Sequence, residues 1–265
     1  MTEPVHFADL QDKVVWITGA AKGMGLAMAK AFAHQGARLA LLDIDKPELE
    51  QAKQSLCLSQ DRCILLEASV VQSEAMEQAA SSIVEAFGKI DVGINNAGIS
   101  MNKPTLEVSA DEWRKTVDIN LNGTFYGAQA AARHMVARQS GVIINMGSVY
   151  GVSAAPNRAA YCATKSAVVA LSQSLAAEWA AYGIRVNTLC PGYVETPFLA
   201  ELMQRGVLNR ESLQSRIPMG ALASPEHIAQ VALYMASEAS SYMTGHAMVV
   251  DGGWTADSFK ALKQD

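Results

Sequence analysis

Short apolar runs alternate along this chain with longer segments in which apolar positions recur every three or four residues. Runs of this length suit strands that are buried on both faces of a parallel sheet, and the longer segments have the period of an amphipathic helix. Regular alternation of the two is typical of a doubly wound sheet with right-handed crossovers. The pattern predicts strands at Val14–Thr18, Arg38–Leu42, Arg62–Glu67, Ile90–Asn95, Gly141–Met146, Ile184–Leu189 and Ala247–Val250.

A glycine-rich turn, Gly19-Ala20-Ala21-Lys22-Gly23-Met24-Gly25, joins the first strand to a helix, and the second strand ends at Asp43. Glycines let the backbone approach a pyrophosphate, and the helix N-terminus offers free N–H groups to its phosphates. A carboxylate after the second strand can bind the adenosine ribose and would repel a 2′-phosphate. The spacing, Gly-x-x-x-Gly-x-Gly, is weak evidence by itself. The prediction of a dinucleotide site therefore rests on the strand before the turn and the helix after it. A purely structural turn is the alternative.

These features predict a single α/β domain over residues 1–265, a Rossmann-like doubly wound parallel sheet of about seven strands with helices on both faces. Residues 1–100 would form the cofactor-binding half, and residues 101–265 the catalytic and substrate half. A long helix is expected from its N-cap at Ser109 to Val136. The segment Tyr193–Ser224 breaks the rhythm of strand and helix and is predicted to be a lid or binding loop.

The composition of the chain argues against several classes of function. The net charge of −5 argues against nucleic acid or an anionic membrane as the main partner, since both attract basic surfaces. No apolar run approaches the roughly 20 residues of a membrane span, and no secretory signal is apparent, so a cytoplasmic location is expected. The four cysteines and five histidines show no metal-like spacing, and no metal site is predicted.

Ser148, Tyr161 and Lys165 form the candidate catalytic set. Tyr161 and Lys165 are four residues apart, so on a helix they share a face. A cation beside a phenol favours the phenolate and lowers its pKa from about 10. Ser148 follows a predicted strand, at the sheet edge where open α/β domains bind ligands. Taken alone, the Tyr-x-x-x-Lys spacing is more typical of a solvated pair on a helix surface.

In combination, the motifs resemble those of the short-chain dehydrogenase/reductase family, in its branch of about 250 residues. The resemblance covers roughly Asp9–Gly253. It rests on Thr18-Gly19-x-x-x-Gly23-x-Gly25, Asn95-Asn96-Ala97-Gly98, Asn120, Ser148, Tyr161-x-x-x-Lys165, Pro191-Gly192 and Asp251-Gly252-Gly253.

The resemblance implies a role for each catalytic residue. Tyr161 would be the general acid/base, and Lys165 would lower its pKa and bind the nicotinamide ribose. Ser148 would position the reacting oxygen, and Asn120 would hold a water that links Lys165 to solvent. Cofactor contacts are expected from Gly19, Lys22, Gly23, Met24, Gly25, Asp43, Ser69, Val70, Asn96, Ala97, Gly98, Tyr161, Lys165, Pro191, Gly192, Val194 and Thr196.

Two residues bear on which nicotinamide cofactor is used. Lys22 is of a type often associated with NADP in the family, whereas Asp43 would clash with a 2′-phosphate. Since Lys22 can swing into solvent, the sequence favours NAD over NADP. Ser69 stands where relatives usually carry an Asp against the adenine, which leaves that contact open.

The substrate pocket is expected among Ser148, Tyr150, Arg158, Tyr161 and Tyr193. Arg158 could meet an anionic group of the substrate. A solvated loop arginine is the plainer interpretation and is preferred here.

The favoured function is an NAD-dependent oxidoreductase that transfers hydride between a secondary alcohol (a polyol, sugar or hydroxy acid) and the nicotinamide. One alternative is a 3-oxoacyl-thioester (acyl carrier protein) reductase, although typical NADPH reductases of that kind lack an acid like Asp43. A non-catalytic nucleotide-sensing scaffold is another, but it would be expected to lose Tyr161 or Lys165. The resemblance also implies a homotetramer.

Overall fold

The computed structural model describes residues 5–257, so the ends of the predicted domain, residues 1–4 and 258–265, lie outside the described residues. Its strands form one parallel sheet of seven, in the order β3-β2-β1-β4-β5-β6-β7. The predicted fold class is confirmed. The strands are β1 (Val14–Thr18), β2 (Arg38–Asp43), β3 (Cys63–Glu67), β4 (Val92–Asn95), β5 (Gly141–Met146), β6 (Ile184–Pro191) and β7 (Ala247–Val250).

Helices cover both faces of the sheet. The helices are α1 (Gly23–His34), α2 (Lys46–Leu56), α3 (Ser73–Phe87), α4 (Ala110–Val117), α5 (Gly123–Val136), α6 (Ala159–Trp179), α7 (Pro197–Gln204), α8 (Arg210–Gln214) and α9 (Pro225–Ala236). Along β1, Val15 and Ile17 point into one core with α1, α2 and α9, while Val14 and Trp16 point into the other with α3, α5 and α6. Both faces are buried, which is why the strands are continuous apolar runs.

The strand order reverses between β1 and β4, which opens a crevice at the carboxyl edge of the sheet. Side-chain amides hold this edge together. Asn96 Nδ2 donates to the carbonyls of Thr18 (3.0 Å) and Gly19 (2.9 Å), which ties the end of β4 to the end of β1. Further along, Asn95 Nδ2 donates to Asn145 Oδ1 at 2.8 Å, so the buried amides also link β4 to β5.

The predicted long helix is interrupted. Ser109 caps it as expected, through a capping box with Glu112, but a π-helical turn at Asp118–Asn122 separates α4 from α5. Such turns are local insertions that often lie at functional sites. Sequence periodicity does not register one inserted residue, which is why a continuous helix was predicted. The turn brings the side chain of Asn120 into the interior, where it is fully buried.

The segment Tyr193–Ser224 is more ordered than a loop, because it contains α7 and α8. Its role as a lid or binding loop stays a prediction. A small apolar cluster within the segment explains its order, since helices of eight and five residues need tertiary contacts to form. The buried members of that cluster are Leu199, Leu213, Ile217 and Leu222. In residues 5–257 we find no helix that combines the length and apolar character needed to cross a membrane.

Candidate active site

An elongated cavity of about 420 Å³ lies along the carboxyl edge of the sheet, at the crevice between β1 and β4. Its walls come from the ends of β1, β2, β4 and β5 and from the start of α1. Most of the predicted cofactor contacts meet here. Those that line the cavity are Gly19, Lys22, Gly23, Met24, Asp43, Ser69, Val70, Asn96, Ala97, Gly98, Tyr161, Lys165 and Thr196.

The glycine turn fits a dinucleotide. Gly19 and Gly23 have φ of +62° and +58°, in the left-handed region that favours glycine. A Cβ on Gly19 would lie 2.8 Å from the Cα of Ala97, so the turn packs closely against the end of β4. Backbone therefore faces the cavity at the N-terminus of α1, as a pyrophosphate site requires.

Asp43 lies at the far end of the same cavity and is held by backbone N–H groups. Its carboxylate accepts hydrogen bonds from Ala21 N at 3.2 Å and from Ile44 N at 2.8 Å. Lys22, by contrast, is exposed and makes no ion pair within the described chain. The Asp43 carboxylate therefore has a fixed orientation in the cavity wall.

Four predicted cofactor contacts are not in the wall of this cavity. Gly25 is buried in α1, where a Cβ would collide with the carbonyl of Gly19, so its requirement for glycine comes from packing. Pro191 is buried as the last residue of β6. Gly192 and Val194 line a second, adjoining cavity instead. Contact of these four residues with a cofactor stays a prediction.

Sequence reasoning missed several residues of the cavity wall. Most directly follow a strand or a motif that was singled out, so their place at the carboxyl edge was the available signal. The missed residues are Leu42, Ile44, Ala68, Ile99, Ser100, Ile119, Met146, Gly147, Pro197 and Phe198.

Tyr161 and Lys165 share a face of α6, as their spacing predicts, with Lys165 Nζ 5.8 Å from the centre of the Tyr161 ring. Ser148 is placed by the end of β5, and its hydroxyl accepts a hydrogen bond from Tyr150 N at 3.1 Å. Tyr161 borders both the elongated cavity and the adjoining one. The three predicted catalytic side chains therefore meet where the two cavities join.

The electrostatics of Tyr161 differ from the expectation. Burial raises the pKa of its phenol, and the Ser148 hydrogen bond and the charge of Arg158 only partly oppose that rise. The neighbouring Lys165 does not reverse this rise, and its own burial lowers its pKa to about 8. The predicted downward shift of the Tyr161 pKa was wrong for this structure.

Asn120 lies beside the N-terminal part of the Tyr161 helix, where its Nδ2 donates to Thr164 Oγ1 at 3.3 Å, and its other partners are backbone groups. Its Oδ1 accepts from Ile99 N at 2.8 Å and its Nδ2 donates to Ile99 O at 2.9 Å. A Cβ on Gly98 would lie 3.2 Å from Asn120 Oδ1 and 3.6 Å from Lys165 Nζ, so only glycine leaves this gap open. Its expected role in holding a water stays a prediction.

The adjoining cavity, of about 120 Å³, contains the predicted substrate residues. The hydroxyls of Tyr150 and Tyr193 are 2.8 Å apart. Trp254, which sequence reasoning left in the tail, packs against Tyr193 with ring centroids 5.0 Å apart. The predicted members Ser148, Tyr150, Arg158, Tyr161 and Tyr193 are joined in the wall by Met24, Ser100, Val149, Gly192, Val194, Thr196, Phe198, Leu199, Leu202 and Leu208.

Comparisons with known proteins agree with this geometry. A family described as Enoyl-(Acyl carrier protein) reductase matches residues 19–255. A crystal structure of a short-chain type dehydrogenase/reductase from Mycobacterium marinum superposes with a TM-score of 0.89, at 33% identity over 95% of this chain and 98% of that one. The chain belongs to the short-chain dehydrogenase/reductase family. Membership makes this short-chain dehydrogenase an oxidoreductase acting on a CH–OH group.

Two characterised relatives of this short-chain dehydrogenase act on polyols. The chain is 36% identical to the NAD-dependent glycerol dehydrogenase of Listeria innocua, over 93% of this chain and 95% of the relative. It is 41% identical to a galactitol 2-dehydrogenase of Cereibacter sphaeroides, over 90% of this chain and 93% of the relative. The family resemblance predicted from the motifs is thus confirmed.

Proposed function

We propose that this short-chain dehydrogenase transfers hydride between a secondary alcohol and NAD, with Tyr161 as the general acid/base. One observation carries the proposal: Tyr161 borders both cavities, next to Ser148 and Lys165. A substrate in the smaller cavity and a nicotinamide in the larger one would meet at its phenol. Proximity of this kind supplies much of an enzyme's rate enhancement.

Each catalytic side chain would have its own role in the reaction. Ser148 would donate its hydroxyl hydrogen to the reacting oxygen and hold it beside Tyr161. During oxidation Tyr161 would take the alcohol proton as phenolate, and during reduction it would return a proton as phenol. Lys165 would stabilise that phenolate and bind the nicotinamide ribose. NAD, when bound, supplies the hydride acceptor.

The preference for NAD rests on Asp43. Its carboxylate is oriented by backbone N–H groups and cannot move away from a 2′-phosphate without losing those hydrogen bonds. The NAD dependence of the glycerol dehydrogenase relative points the same way. Within the expected substrate class of polyols, sugars and hydroxy acids, the names of the relatives support a polyol.

A 3-oxoacyl-thioester reductase is the second candidate, and the description of the matching family supports it. The small volume of the substrate cavity, about 120 Å³, favours a small alcohol over a long acyl chain. The homotetramer and the cytoplasmic location stay predictions. Sedimentation of the purified protein would test the first of these.

The proposal is tested by assaying a panel of alcohols and ketones with NAD and with NADP. Turnover is followed by the absorbance of the reduced nicotinamide. We expect turnover of a secondary alcohol with a higher kcat/KM for NAD than for NADP. The Tyr161→Phe variant should lose about 100- to 10,000-fold in kcat, the usual contribution of a general acid/base. Tyr182→Phe, a change at an exposed tyrosine just beyond the end of the same helix, is the matched control. Undiminished activity of Tyr161→Phe would refute the mechanism.

A further inference from the structure

Arg158 carries a buried charge with no counter-charge. The side chain is only 9% exposed, which corrects the expectation of a solvated loop arginine. Within the described residues its guanidinium makes one long hydrogen bond, 3.5 Å from Nη1 to Ser100 Oγ, and lies 5.2 Å from the centre of the Tyr150 ring. Within residues 5–257 no carboxylate lies at ion-pair distance from it. A hydroxyl and a ring face leave most of its five donors without an acceptor.

The surroundings of Arg158 are those of a binding pocket. It is the single charged side chain in the wall of the smaller cavity, which within the described chain has no carboxylate. The other members are hydroxyls and apolar groups. Burying an unpaired charge is costly, so a site that keeps one is suited to receive the opposite charge from a ligand.

The position of Arg158 relative to the reacting centre limits the ligand. It is the N-cap residue of α6 and precedes Tyr161 by three residues, about one helical turn. Its charge acts on the Tyr161 phenol as well as on Tyr150. A group bound at Arg158 would therefore be close to an oxygen bound at Tyr161, only a few bonds away in a small molecule. The planar fork of a guanidinium matches a carboxylate best, and a cavity of about 120 Å³ suits this small anion.

We propose that Arg158 binds the carboxylate of the substrate, so that the preferred substrate is a short hydroxy acid rather than a neutral polyol. The inference rests on the proposed function and adds the substrate class to it. Arg158 selects the substrate, while Ser148, Tyr161 and Lys165 perform the same chemistry on any alcohol that reaches them.

Matched pairs of substrates test this specificity directly. Lactate is compared with 1,2-propanediol, and 3-hydroxybutyrate with 1,3-butanediol, each with NAD at saturation. For the wild type we expect a higher kcat/KM for the acid in at least one pair. Arg158→Met should lower the ratio of acid to diol by roughly 10- to 100-fold, chiefly through KM, because a hydrogen bond to a charged group is lost. Arg158→Lys keeps the charge but not the planar fork of the guanidinium. Its ratio of acid to diol should lie between those of the wild type and Arg158→Met.

Arg216→Met is the control, because Arg216 also stacks on a ring of this region, 4.2 Å from the centre of Trp254, but is exposed and outside the cavity wall. The ratio of acid to diol should not change in this variant. Thermal unfolding of each variant shows whether it folds. If the ratio is the same in the wild type and Arg158→Met, Arg158 has only a structural role and the proposal is overturned.

Calorimetric titration with butyrate gives a second readout that does not depend on turnover. Protein saturated with NADH should bind butyrate, and Arg158→Met should bind it at least about 10-fold more weakly. Absence of butyrate binding to the wild type overturns the carboxylate site even if diols are oxidised. Butyrate binding without turnover of any alcohol would instead leave the carboxylate site standing and refute the proposed function.

Discussion

Lys165 Nζ donates a hydrogen bond of 2.7 Å to the carbonyl oxygen of Met146, the last residue of β5. This hydrogen bond holds the site together, because it connects the helix of Tyr161 to the strand that ends just before Ser148. No carboxylate within residues 5–257 forms an ion pair with Lys165. Burial without a counter-charge lowers the pKa of Lys165 to about 8.

The lowered Lys165 pKa predicts a pH-dependent stability. Between pH 8 and 10.5, its ordinary value, the unfolded chain binds more protons at this group than the folded chain. The free energy of unfolding therefore rises with pH in that window, by up to about 3 kcal/mol. Relative to Lys165→Met, the wild type should become more stable as pH is raised from 8 to 10.5, as measured by urea denaturation.

The exposed Lys30 on α1 provides the control for this measurement, since Lys30→Met should show a constant offset from the wild type. A constant offset for Lys165→Met as well would mean that Lys165 has an ordinary pKa in the folded protein.

The raised pKa of Tyr161 predicts different pH dependences for the two directions of the reaction. Below that pKa the phenolate fraction grows about tenfold for each pH unit. We expect kcat/KM for alcohol oxidation to rise from pH 6 to pH 10, whereas reduction of the ketone does not. Ser148→Ala removes a hydrogen bond that lowers the Tyr161 pKa, so the residual oxidation profile should shift to higher pH. An oxidation rate that is independent of pH would contradict the assignment.

Asp43 should set the choice of cofactor. Asp43→Asn keeps an oxygen for the backbone N–H groups but removes the charge that opposes a 2′-phosphate. Two like charges about 4 Å apart near a protein surface repel by a few kcal/mol, so the NAD to NADP ratio of kcat/KM should fall at least about 10-fold. Asp45→Asn is the control: Asp45 caps α2 by accepting from Glu48 N at 3.2 Å and is absent from the cavity wall. An unchanged NAD to NADP ratio in Asp43→Asn would mean that other residues determine the choice of cofactor.

Asn120 should contribute to stability as well as to the site. Asn120→Ala leaves Ile99 N–H and C=O without their partner in a partly buried place, and each unpaired group costs up to about 1–3 kcal/mol. We expect a loss of about 2–5 kcal/mol in the free energy of unfolding by urea. Asn122→Ala, in the same π-helical turn, removes only an exposed bond to Asp118 and should cost under about 0.5 kcal/mol. Equal costs would show that the turn does not depend on Asn120.

The sequence determined the fold class and the placement of the main motifs. A strand buried on both faces is an apolar run, and an amphipathic helix has apolar residues every three or four positions. Both patterns can be recognised within a short stretch of sequence. The predicted strand bounds differ from the structure by no more than two residues at either end. Ser148, Tyr161 and Lys165 could be placed because strand ends and helix faces follow from those periods.

Only the tertiary structure decided properties that depend on what distant segments pack against a residue. It showed Arg158 buried without a counter-charge, Trp254 against Tyr193, and burial rather than Lys165 setting the direction of the Tyr161 pKa. Neither hydrophobic period nor motif spacing carries that information. Desolvation and charge pairing are set by neighbours that the chain brings together only on folding, so the chemistry of the site follows from packing even where its residues can be named in advance.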